Sequence, residues 1–195
     1  QEENGSWAWS SAPAKNRPPP FFESDEVATQ LTYIALGRDI PAEGDERTAI
    51  VESRKKAADW LATITPEETT QSSALNLLIN VQAGQPPETI QPLIEKFIGK
   101  QNEDGGWGQL DDRASDAYAT GQALYALNLA GVKPDRQEIQ RAVEFLVKTQ
   151  NEDGSWPMTR RGHPGVTPGP FVVPLTYFGS VWGTMGLMRT VGTAG

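Results

Sequence analysis

The stretches QNEDGGW (101–107), QNEDGSW (150–156) and QEENGSW (1–7) decide the reading of this chain, because all three fit Q-x-x-x-G-x-W. The later two lie 49 residues apart and the first two 100 apart. The wider gap holds two such units, which predicts an intervening copy that has lost the motif. KAADWLATITPEET (56–69) is the candidate: Ala57, Trp60 and Leu61 align with Ala142, Phe145 and Leu146, and Thr65 falls where Gln150 stands. Similarity at a fixed spacing of this length marks stacked units, each burying its neighbour's apolar face.

The segment before each motif is a helix with one wet face. Ile139, Ala142, Val143, Leu146 and Val147 recur at i, i+3, i+4, i+7 and i+8, and so do Ile90, Leu93, Ile94, Phe97 and Ile98. Asp135 with Glu138 resembles a capping box, and Thr65-Pro66-Glu67-Glu68 reads as another helix start. The segment after the motif differs. SDAYATGQALYALNLA (115–130) is apolar or small nearly all round, and SDEVATQLTYIALG (24–37) echoes it at an offset of 91. A helix without a wet face belongs inside. Each unit therefore reads as an outer helix, a motif loop and an inner helix. Helices are expected near 25–37, 46–63, 67–83, 88–100, 115–131, 136–149 and 175–190, with 8–23 and 157–174 as loops by their prolines and glycines.

The motif residues have physical jobs. Gly5, Gly105 and Gly154 stand where a chain leaving a helix needs positive φ. Gln1, Gln101 and Gln150 can hydrogen-bond free backbone groups at the next helix end, and Trp7, Trp107 and Trp156 can cover that bond from water. On this reading the motif is a clasp between repeats.

Composition excludes several functions. The 195 residues carry a formal charge of −8, no cysteine and one histidine, His163. Disulfides, thiolate metal sites and cysteine nucleophiles are therefore out, as is any site needing two imidazoles. An acidic balance without a basic cluster argues against nucleic acid and anionic membranes. No apolar run approaches the roughly 18–20 residues of a spanning helix, and residues 1–5 do not read as a signal peptide. The opening reads as the middle of something longer, and the compartment is not legible.

RAVEFLVKTQNEDGSW (141–156) resembles the QW motif of the squalene–hopene and oxidosqualene cyclases. SDAYATGQALYAL (115–127) and WGTMGLM (182–188) are similar to bacterial prenyltransferase/squalene-oxidase repeat proteins. The resemblance implies an all-α fold over residues 1–195, an incomplete α/α toroid of inner and outer helices that is part of a larger toroid or a truncated one. It also implies an isoprenoid-type apolar ligand held between the inner helices. Cyclases of this kind protonate an alkene with a D-x-D-D-T acid. The nearest strings here are QLDD (109–112), with Gln109 in the first acid's place, and RASD (113–116), which keeps only Asp116. The zinc site of the related prenyltransferases needs a cysteine that is absent, so no metal and no cofactor are expected.

Asp116 is the candidate catalytic acid, since it opens an inner helix and a buried carboxyl has a raised pKa. The alternative is a first-turn carboxylate, like Asp25, favoured by the helix dipole. Tyr118, Tyr125, Phe171, Tyr177, Phe178 and Trp182 are candidate ligand-binding residues whose faces would stabilise a carbocation, or they are core filler. Gly179, Gly183 and Gly186 permit close helix approach or leave room for a ligand. Asp111 and Asp112 could pair as acids or bind a cation, and Asn102-Glu103-Asp104-Gly105 could suggest calcium; solvated loop and turn chemistry explain them equally. His163, Arg160 and Arg161 lie in a loop, where the arginines could meet a diphosphate or simply be solvated.

Two functions are compatible with these residues. One is an isoprenoid-binding repeat domain without the cyclase acid motif. The other is a non-enzymatic interaction module that self-associates or binds a partner through its open first repeat. A carbohydrate-processing toroid would need exposed tryptophans and a carboxylate pair.

Overall fold

The structure, a computed structural model, describes residues 1–8, 24–159 and 172–192. Among them it forms seven helices and no strand: α1 (Asp25–Leu36), α2 (Asp45–Leu61), α3 (Thr70–Gln82), α4 (Pro87–Ile98), α5 (Ala117–Leu129), α6 (Gln137–Thr149) and α7 (Val172–Val191). The only extended pairing among the described residues is two isolated bridges, Thr69 with Leu110 and Gly108 with Ser115.

The packing sorts these helices into two rows. α1, α3, α5 and α7 touch in succession, and α2, α4 and α6 pack on α1, α3 and α5 respectively. This is the arrangement of an incomplete α/α toroid. The amino-acid pattern explains the sorting. α5 buries Ala117 through Leu124 without a break, then Ala126 and Leu127, so it has no wet face. α6 buries only Ile139, Ala142, Phe145 and Leu146, and α2 only Ala57. A helix with one apolar stripe can sit outside; one without a polar face must be surrounded. The largest core cluster joins both rows through Leu77, Ile94, Phe97, Leu124, Leu127 and Leu146.

α5 and α7 approach closest, because glycine faces backbone there. A Cβ on Gly121 would lie 2.2 Å from the Trp182 carbonyl, and one on Gly186 2.7 Å from the Gly121 carbonyl. The close-approach role expected of the α7 glycines is therefore the one observed at Gly186.

Three local expectations are corrected. α3 begins at Thr70, not at Thr65-Pro66, because Thr69 caps it by accepting from Ser72 N at 3.0 Å. α7 begins at Val172, three residues early, since Pro174 falls in the first turn, where its missing N–H costs nothing. Asp135 and Glu138 form no capping box: Arg136 holds the cap position without a side-chain cap bond. The Glu138 carboxylate instead accepts from Arg136 Nε at 3.0 Å, while the same guanidinium grips Glu95 of α4 at 3.0 and 3.2 Å.

Candidate functional site

Asp116 is the N-cap of α5, and the residue is 4% exposed. Oδ1 accepts from Ala119 N at 2.8 Å. Oδ2 accepts three donors: Gln109 Nε2 at 2.8 Å, Thr159 N at 2.9 Å and Thr159 Oγ1 at 2.6 Å. Burial pushes the carboxyl above the ordinary aspartate range, and the four donors pull it back without cancelling the rise. Asp116 borders a recess of about 130 Å³ walled by Phe145, Pro157 and Met158. Its oxygens, however, are directed to protein donors. With three donors aimed at it, Oδ2 has no direction left in which to present a proton to a substrate, and Oδ1 is held by the cap bond to Ala119 N.

Asp25 does not share this role. The caps shift by one residue between the two echoing segments: Ser24 caps α1 by accepting from Val27 N at 3.3 Å, which leaves Asp25 as the exposed first helical residue. The residue that does parallel Asp116 is Glu26, which sequence reasoning missed. Glu26 is 5% exposed; its Oε1 accepts from Gln30 Nε2 and from Ser72 Oγ, and its Oε2 accepts from Glu67 N at 2.7 Å. Each of these two carboxylates thus sits at the start of one inner helix and takes a backbone N–H from the segment leading into the next. Glu67 precedes α3 and Thr159 precedes α7. An acid among small residues at a helix start was the available signal; its partners, 41 and 46 residues away, carried none.

The aromatic residues gather only in part. Tyr118 and Trp182 meet edge to face at 6.4 Å, Tyr125 and Trp182 at 5.9 Å, and Tyr177 and Phe178 at 5.8 Å. Tyr118 is buried with Met158 and Leu175, against which Phe178 and Trp182 pack. Tyr118 is buried, Tyr125, Phe178 and Trp182 are half-buried, and Tyr177 is 64% exposed. Phe171, His163, Arg160 and Arg161 lie outside the described residues. Asp111 pairs with Lys100 at 2.9 Å and Asp112 lies 3.6 Å from Arg113, both as exposed loop carboxylates. Among the described residues no three histidine, aspartate or glutamate side chains gather as a metal-ligand group. Among them, too, no helix is long and apolar enough to cross a membrane.

The three Gln-x-x-x-Gly-x-Trp loops share one geometry. Gly5, Gly105 and Gly154 have φ of 96°, 90° and 82°, which a side chain would strain. Gln1, Gln101 and Gln150 each donate Nε2 to the carbonyl of their own loop glycine at 2.8–2.9 Å. Asn4, Asp104 and Asp153 each accept from the backbone N–H two residues on, at 2.9–3.0 Å, so the acidic loop is turn chemistry. Trp7 N, Trp107 N and Trp156 N each donate at 2.9 Å to a hydroxyl of the following inner helix: Thr29, Thr120 and Ser180.

Two details differ from expectation. Gln1 and Gln101 reach carbonyls inside the next outer helix, Ser53 O and Glu138 O, both at 2.8 Å, and not free groups at its end. The indoles cap the helix before the loop: Trp107 Nε1 donates to Phe97 O at 3.0 Å and Trp156 Nε1 to Leu146 O at 2.7 Å. These carbonyls lie in the last turns of α4 and α6, where intrahelical partners run out.

The family model for the squalene-hopene cyclase N-terminal domain matches residues 45–149, more than half of the chain. No curated protein matches. The chain belongs to this family.

Proposed function

We propose that this member of the squalene-hopene cyclase family is a structural and interaction module that performs no cyclisation. The observation that carries this reading is the carboxylate of Asp116, whose oxygens are occupied by Ala119, Gln109 and Thr159 at the joint between α5 and the segment before α7. A cyclase acid must hold its proton toward an alkene. Gln109, which opens QLDD (109–112), one of the two strings nearest to the acid motif, meets Asp116 as an amide donor, and a donor favours the ionised carboxylate. Gln1, Gly5, Trp7, Gln101, Gly105, Trp107, Gln150, Gly154 and Trp156 serve as clasps that fix successive helices. The bonds of the first two loops to α2 and α6, and of the indoles to α4 and α6, support that role. The test is incubation of the full chain with squalene and product analysis by gas chromatography. The expected result is unchanged squalene; a cyclic product that disappears in Asp116→Asn would overturn the reading.

A second reading, an isoprenoid-type apolar ligand, is favoured by one face of α7. Val173, Tyr177, Met188 and Val191 are each more than 60% exposed, and their spacing puts them on one side of the helix. Such a stripe can lie along a polyprenyl chain. Native mass spectrometry after lipid exposure checks it. Bound apolar mass would favour it, and bare protein would leave the module reading alone.

A further inference from the structure

The joint between α2 and α3 lacks the clasp, and the helix beside it differs to match. The indole bonds from Trp107 to Phe97 O and from Trp156 to Leu146 O set α4 and α6 in one register, 49 residues apart. In α6, Ala142 and Phe145 are buried, and the loop 101–107 closes on that face. A Cβ on Gly105 would lie 2.7 Å from Arg141 O, and one on Gly106 3.0 Å from Phe145 Cδ1. The residues 49 earlier in α4 are Leu93, half-buried, and Lys96, exposed. The stretch 62–69 has neither the glycine nor the tryptophan of the motif with which to close on them.

A recess of about 350 Å³ lies there instead, between residues 65–68, α3 and α4, and its size is that of a small-molecule site. Leu93 and Phe97 give it an apolar wall. Two of its charged residues, Lys100 and Asp111, neutralise each other at 2.9 Å. The other three do not: Lys96 on α4 and Glu67 and Glu68 on the loop line the recess, and none of them joins an ion pair among the described residues. Glu67 N donates to the buried Glu26 carboxylate at 2.7 Å, which pins the acidic side to the fold. On α3 the Ser73 hydroxyl and the Asn76 amide are half-buried in the same wall. Both oxygens of Asn76 accept from Asn80 Nδ2, at 2.7 and 2.9 Å, so its own NH2 group is the part left over. Neither that group nor the Ser73 hydroxyl has an acceptor among the described residues. Polar groups withdrawn from water normally find partners, and these two donors lack one in the same recess.

We propose that this recess binds a small zwitterion, an apolar α-amino acid. Its carboxylate meets Lys96 with the Ser73 and Asn76 donors, its ammonium meets Glu67 and Glu68, and its side chain lies on Leu93 and Phe97. The ligand carries both signs because the recess does. An anion alone would face two unmatched glutamates, a cation alone would face Lys96, and like charges brought together oppose binding. It is small because both signs stand within one recess of this volume. Its side chain is apolar because the wall that remains carries no polar side chain.

The probes are L-leucine and its two halves by charge: 4-methylpentanoate, which lacks the ammonium, and 3-methylbutylamine, which lacks the carboxylate. Titration calorimetry with the full chain should show saturable binding of L-leucine and at least tenfold weaker binding of each half. Lys96→Met should weaken L-leucine about tenfold and remove its advantage over 3-methylbutylamine. Glu67→Gln together with Glu68→Gln should weaken L-leucine and tighten 4-methylpentanoate. Lys96, Glu67 and Glu68 are exposed, and the Glu67 N–H that holds Glu26 is untouched, so these variants should melt as the parent does. No saturable binding of L-leucine overturns the proposal. So does binding indifferent to Lys96→Met, which would place the amino acid elsewhere, and so does either half binding as tightly as the whole, which would make the site one for a single charge.

Discussion

Thr159 donates to Asp116 twice, through its backbone N–H at 2.9 Å and its hydroxyl at 2.6 Å, both to the same oxygen. The two residues are 43 apart in sequence, so this pair of hydrogen bonds fastens the segment before α7 to the first turn of α5. Glu26 fastens the approach to α3 in the same manner through Glu67 N. When two carboxylates at different inner helices take the same kind of backbone donor, architecture explains both, and a reaction would explain one.

Asp116→Asn should therefore destabilise the fold. The amide can still cap α5 through its oxygen, but its NH2 group would face Thr159 N, which would lose its acceptor, and Gln109 Nε2, which would keep only its bonds to Thr159; the Thr159 hydroxyl would have to turn and accept. Buried unpaired donors cost about 1–3 kcal/mol each before relaxation. A loss of roughly 2–4 kcal/mol is expected in urea unfolding. A variant as stable as the parent would remove Asp116 from the joint and return it to chemistry.

The same carboxyl should leave a mark in the pH dependence. Its folded pKa is raised by burial, so the fold holds the neutral form better than the unfolded chain does. Its contribution is fully present below the ordinary aspartate value of about 3.9 and is lost as pH rises from there through the folded value. Glu95, Glu138 and Asp153 are lowered and act in the opposite sense, gaining as pH rises. The difference in urea midpoint between the parent and Asp116→Asn isolates the aspartate. It should shrink with rising pH above about 4 and then level off; a difference that grows over that range would mean that the donors outweigh burial.

The helix rows were legible because they rest on local pattern. The unbroken apolar run of 115–130 and the one-sided stripe of 136–149 differ in a way that only an inside and an outside helix satisfy, and α5 and α6 lie as that difference dictates. The loops were legible because Gly105 and Gly154 have a conformation that the residue type alone demands. The long-range contacts stayed hidden. Nothing near Asp116 points to Thr159, and nothing near Glu26 points to Ser72. The echo between Asp25 and Asp116 misled, because cap position depends on which oxygen reaches an N–H, and Ser24 reaches it one residue sooner. At Arg136 a bidentate contact to Glu95 displaced the expected capping box, a choice made by a neighbouring helix that the local sequence does not show.

Trp107→Ala and Trp156→Ala test the clasp. Both indoles are buried, and both cap a carbonyl near the end of the preceding helix. Truncation leaves a cavity and removes one hydrogen bond from the carbonyl, together roughly 3–5 kcal/mol. For a chain of this size that lowers Tm by about 10 °C in a thermal melt followed by circular dichroism. Trp107→Phe keeps most of the volume and should lose only about 1 kcal/mol for the missing N–H. If the alanine variants melted with the parent, the loops would be passive connections.

Gln122→Met should stabilise the protein. Gln122 lies in α5 at 2% exposure, and neither its amide nitrogen nor its amide oxygen has a partner among the described residues. An amide buried without hydrogen bonds costs about 1–3 kcal/mol relative to an apolar group. Methionine has nearly the same length and shape and adapts to the space the glutamine leaves. The expected change is a gain of about 1–2 kcal/mol, read as a higher urea midpoint at constant slope. A fall in stability would count against an amide buried without partners at Gln122.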